Sequence, residues 1–71
     1  MLNTLEIKAR MVKLGLSQPD VAKTLDINVA TFNAKLHNTR RIYLDEAIKL
    51  RDVLRVTTPE ESKELFGVVL I

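Results

Sequence analysis

Apolar residues recur at helical spacing along most of the chain, and the points where that spacing starts and stops predict five helices. From Thr4 to Leu14 two stripes run side by side: Leu5, Ala9 and Val12 on one, Ile7, Met11 and Leu14 on the other. Either can be the inner face, and a helix carrying both is expected to be covered over more than half its circumference. Gly15 follows where a left-handed C-terminal cap belongs. A second helix opens at Ser17. Its spacing to Asp20 is that of a capping box, and Pro19 lies in the first turn, where a missing N–H does no harm. Val21, Ala22 and Leu25 form its inward face, and the small Ala22 lets a neighbouring helix come close.

The pattern breaks at Asp26-Ile27-Asn28, and Asn28 is a good N-cap for a third helix reaching about His37. Phe32 and Leu36 are its buried pair. After the loop Asn38-Thr39-Arg40-Arg41, a fourth helix is expected over about Asp45 to Val56, with Leu44, Ala47, Ile48, Arg51 and Leu54 on one stripe. Asp45 and Glu46 at its start and Arg55 at its end suit the helix dipole. Thr58, Pro59 and Glu61 open a fifth helix with a capping box, Leu65 and Phe66 supply its contacts, and Gly67 closes it. The last four residues, Val68-Val69-Leu70-Ile71, favour an extended tail that covers the core or meets another chain.

At 71 residues the expected organisation is one domain, residues 1–71. A domain this small buries only about 60% of its unfolded surface and gains from association. With no cysteine, neither a disulfide framework nor a thiolate metal site can form. His37 stands alone, without the partners a metal site needs, so no metal or cofactor is expected. No nucleophile–base pair or glycine-rich phosphate loop accompanies it, so the chain does not read as an enzyme. No signal sequence and no apolar run of the ~20 residues that span a bilayer are present, and the expected setting is the cytoplasm, with no membrane partner. The net charge of +2 is unevenly spread. Ile27 to Leu44 holds Lys35, Arg40 and Arg41 with no acid, a local basic surface that attracts phosphate.

Two short helices joined by a tight turn, here Gln18 to Asn38, form a helix-turn-helix arrangement, with Ala22, Ile27 and Phe32 closing its small core. The stretch Gly15-Leu16-Ser17-Gln18-Pro19-Asp20-Val21-Ala22, then Ile27-Asn28, resembles the repressor/Cro superfamily of temperate phages. Thr31-Phe32-Asn33-Ala34-Lys35-Leu36-His37-Asn38, followed by Tyr43 and Asp45-Glu46, is similar to short phage proteins that include Cro-like regulators and modulator-of-repression antirepressors of phages of Gram-positive bacteria. The resemblance covers about residues 5–66 and implies an all-α, five-helix domain acting in the lysogeny/lysis switch inside a bacterial host.

The resemblance places base contacts on Asn28, Val29, Ala30, Thr31, Asn33 and Ala34, and a phosphate contact on Gln18; by their charge Lys35, Arg40 and Arg41 are the natural phosphate-neutralising candidates. Here the reading surface lacks Arg, Lys and Gln. Val29, Ala30 and Ala34 suit thymine methyls, while Asn28, Thr31 and Asn33 can hydrogen-bond bases. Asp26 stands where the family usually has glycine, and His37-Asn38 replaces its usual Asn-Gly. Two partners fit this surface. One is double-stranded operator DNA, bound by a homodimer on a two-fold site. The other is the phage CI-type repressor, met through the same small, uncharged face.

Overall fold

The computed structural model describes residues 1–70. The chain is all-helical, with five helices and no strand among these residues: α1 Thr4–Leu14, α2 Gln18–Thr24, α3 Val29–Leu36, α4 Leu44–Val53 and α5 Pro59–Phe66. No described helix is long and apolar enough to cross a membrane.

The starts follow from side chains that satisfy the first free N–H groups. Asn3, Ser17, Asn28 and Thr58 accept from Glu6, Asp20, Thr31 and Glu61 respectively. Ser17 and Asp20 complete the reciprocal box, the Ser17 N–H donating to Asp20 Oδ2 at 2.9 Å. That bond, then the Ser17 hydroxyl, hold the Asp20 carboxyl below its ordinary pKa, helped by nearby Lys23 and opposed by slight desolvation.

Four of the ends share one device. A residue in the left-handed region (Gly15, Asp26, Asn38 or Arg55) turns the chain, and the next N–H reaches back across the last turn. Leu16 donates to the Met11 carbonyl at 2.8 Å, Ile27 to Ala22 at 3.0 Å, Thr39 to Ala34 at 2.9 Å and Val56 to Arg51 at 3.0 Å. Leu16, Ile27 and Val56 then pack on the core.

That core joins Ile7 and Met11 of α1, Val21 and Ala22 of α2 with Leu25, Phe32 and Leu36 of α3, Leu50 and Leu54, and Leu65 and Phe66 of α5. Of the two stripes on α1, Ile7 and Met11 face inward, while Leu5 and Val12 stand 78% and 81% exposed. The fourth helix differs from its expected bounds and in part of its buried stripe. It starts at Leu44 and stops at Val53, because Arg55 breaks it, and its buried side is Ala47, Leu50 and Leu54. Of the expected stripe, Ala47 and Leu54 are buried and Ile48 and Arg51 half-buried, Arg51 pairing with Asp52 at 2.8 Å and donating to the Leu70 carbonyl, whereas Leu44 is exposed.

The expected extended tail is not a strand over its described residues, since no neighbouring strand offers a ladder. The Ser62 hydroxyl holds it instead, donating to the Val68 carbonyl and accepting from the Leu70 N–H, both at 2.8 Å. Leu70 packs on the core and Val68 and Val69 remain exposed; Ile71 lies outside the described residues.

Candidate functional site

Two short helices, α2 and α3, meet across a four-residue connection. Asp26, at φ 59°, lets Leu25 to Asn28 turn between α2 and α3 while Leu25 stays buried and Ile27 half-buried. Val21 and Ala22 on one helix and Phe32 on the other are all but inaccessible, so the crossing is close and the roll of α3 about its own axis is fixed by packing.

That roll decides what α3 presents. Asn28, Val29, Ala30 and Asn33 are exposed, and Thr31 and Ala34 are half-buried. The six expected contact residues therefore share the outer side and start of one helix. An open furrow runs beside them, lined by Pro19, Lys23, Asp26 and Ile27 with Asn28 and Val29. Asn28 already has a structural task, its Oδ1 accepting from the Thr31 N–H at 2.8 Å. Gln18 is the first residue of α2 and half-buried. Arg40 and Arg41 are exposed just beyond the far end of α3, which at eight residues is about 12 Å long.

Lys35 is a correction. Expected to meet phosphate, it is only 5% exposed, and its ammonium lies 2.6 and 2.5 Å from the two carboxylate oxygens of Glu46. The same charge sits 5.2 Å from the centroid of the Tyr43 ring. Glu46 Oε1 also accepts the Tyr43 N–H at 2.9 Å, so one carboxylate caps the start of α4 and fastens α3 to it. Burial acts to raise the Glu46 pKa. The Lys35 hydrogen bonds, the Tyr43 N–H and the charges of Lys35 and Arg40 outweigh it and hold the carboxyl below its ordinary range. The helical period carried the signal: Lys35 lies three positions after Phe32 and one before Leu36, on the buried side of α3.

Two further features were not anticipated. Lys23 places an exposed cation on the furrow, on the face of α2 opposite its core residues. The end of α3 is also tied to the start of the chain. Asn38 donates to and accepts from the Leu2 backbone, both at 2.9 Å, and the Thr4 hydroxyl donates to the Leu36 carbonyl at 2.7 Å. His37 closes α3 with Nδ1 2.9 Å from the Asn33 carbonyl, and no cluster of metal-ligating side chains occurs among the described residues.

This arrangement offers a convex helix with small side chains, amide groups at Asn28 and Asn33, and cations at either side in Lys23 and Arg40. It is suited to contact with an extended surface rather than to enclosing a small molecule. No protein-family model, curated protein or solved structure matches this chain.

Proposed function

We propose that the protein is a transcription regulator of the repressor/Cro helix-turn-helix kind, binding operator DNA with α3 as the reading helix in a phage lysogeny/lysis switch. The observation that carries this reading is the outward α3 face of Asn28, Val29, Ala30 and Asn33, held at the end of a short left-handed turn from α2. A second helix presented in this way fits a major groove. Asn28 and Asn33 supply amides for base edges, Val29 and Ala30 supply methyl contacts, and Arg40 and Lys23 are exposed for phosphate.

The test is an anisotropy titration of the full chain into the labelled intergenic duplex beside its gene, at two salt concentrations, with a scrambled duplex as control. The expected result is tighter binding to the intergenic duplex. Arg40→Ala weakens binding on every sequence and lowers the salt slope by about 1, the contribution of a single phosphate contact. Asn28→Asp keeps the helix cap but replaces the amide donor, so it shifts preference at one base pair. Equal binding to both duplexes rejects the reading.

One observation favours a second reading, an antirepressor that uses the same face on the phage CI-type repressor. With Lys35 neutralised inside, the outward α3 face carries no charged side chain, and Val29 is 40% exposed. Interface cores between proteins are depleted in charge in this way. Here the expected result is a stoichiometric complex with the repressor that Val29→Asp abolishes; absence of a complex with the unaltered chain rejects it.

A further inference from the structure

The tail after α5 satisfies its backbone on one side only. The Ser62 hydroxyl bridges the Val68 carbonyl and the Leu70 N–H, and Arg51 donates to the Leu70 carbonyl. Val69, between them, has no partner for its own N–H or carbonyl among the described residues, and it is 53% exposed. A hydroxyl set between one carbonyl and the N–H two residues on stands in for a neighbouring strand. Successive residues of an extended chain aim their backbone groups at opposite edges, so the Val69 pair faces away from Ser62. The side chains agree with an extended course. Val68 and Leu70, two apart, both line a hollow against the start of α4, and Val69 does not. The tail thus has one edge taken and one edge open.

The hollow beside it holds about 270 Å³, below the ~300–1,000 Å³ of small-molecule sites, which suits one anchoring side chain rather than a whole ligand. The buried Leu2, Ala47 and Phe66 and the exposed Tyr43 and Leu44 share its lining, and none of its lining side chains is charged. The open edge narrows the choice of occupant. A donor and an acceptor on one residue are met together by another polypeptide backbone; a phosphate backbone offers acceptors alone, and acyl chains offer neither. A second copy of this chain fits less well, because its own Val68 and Leu70 are already turned into its own hollow and leave this one unfilled. Ser62 and Arg51 hold the tail in place beforehand, so it has little order left to lose on contact.

We propose that this edge and hollow dock an extended segment of a different protein by strand addition. Val69 exchanges N–H···O=C bonds with one residue of the segment, and an uncharged apolar side chain next to that residue enters the hollow. None of the six α3 contact residues takes part, and the docking does not depend on what α3 binds.

Heteronuclear NMR of the full chain, titrated with the acetylated and amidated peptide Thr-Leu-Thr-Leu-Thr, tests it. The expected result is saturable shifts at the Val69 amide and around the hollow, with slower exchange of the Val69 amide proton. The same peptide N-methylated at its threonines keeps the leucines and loses the donors, and it binds about tenfold more weakly or less. Val69→Pro removes the edge N–H and abolishes binding, Val69→Thr preserves it, and both keep the helical circular dichroism. Leu44→Glu, at an exposed position on the hollow, weakens it. No saturable binding up to about 5 mM peptide overturns the proposal. Equal binding of the N-methylated peptide overturns strand addition. Val69 shifts that follow protein concentration alone, without peptide, assign the edge to a second copy and overturn the proposed partner.

Discussion

Removing one member of the Lys35–Glu46 pair leaves the other charged in a place water barely reaches. Lys35→Met is therefore expected to cost about 3 kcal/mol, read from urea unfolding, whereas Lys35→Met with Glu46→Leu is expected to recover most of that loss or exceed the original stability. Acid has the same target. The Glu46 pKa is lower in the folded chain than in the unfolded one, so its contribution is complete above the ordinary value of about 4.3 and is lost as pH falls through the depressed folded value. The urea midpoint of the native chain should drop in that window more than that of the double variant. Residue type alone made Lys35 a phosphate candidate; its position beside Phe32 and Leu36 made it a buried residue. The two cues conflicted, and position prevailed because Glu46 was in reach. The exposure of Asn28, Val29, Ala30 and Asn33 was legible from the same period, read in the opposite direction.

Helix ends were the most readable elements, because their rules are local. Ser17, Asn28 and Thr58 announced three starts, and Gly15 and Asp26 two stops. Arg55 gave no such notice. Nothing in an arginine favours a positive φ, and the end of α4 was placed too late as a result. Its misfit predicts a gain: Arg55→Gly relieves the left-handed residue and should stabilise the fold by up to about 1 kcal/mol, net of the extra freedom given to the unfolded chain. Gly15→Ala works in the opposite sense. No atom obstructs a methyl group there, so the expected loss of about 1 kcal/mol is backbone strain alone. Thermal melts of the two variants give both signs in one experiment. The stripe of α4 was read correctly at Ala47 and Leu54, but Leu44 suits it by spacing and is exposed, while Leu50, left out of it, is fully buried.

At the scale of the whole molecule, what the sequence withheld was long-range. The inner stripe of α1 is chosen by partners far along the chain: Leu65, whose carbonyl accepts the Asn3 N–H at 2.8 Å, and the Leu54 and Arg55 carbonyls and Glu61 carboxylate that accept from Arg10. The fully buried Ser62 was equally hidden, since a serine on an exposed-looking helix shows no sign of the tail it holds. Ser62→Ala leaves the Val68 carbonyl and Leu70 N–H without that partner. Amide exchange at Leu70 should accelerate, and global stability should fall by about 1–2 kcal/mol. The Asn38 clasp on Leu2 has a consequence in time. It joins residues 36 apart, whereas α2, α3 and α4 pack through nearby segments. Contacts that close long loops form late, so α1 should dock after the other helices have assembled. Asn38→Gly, which keeps the left-handed turn and loses the clasp, should hasten unfolding in stopped-flow measurements and leave the rate of folding nearly unchanged.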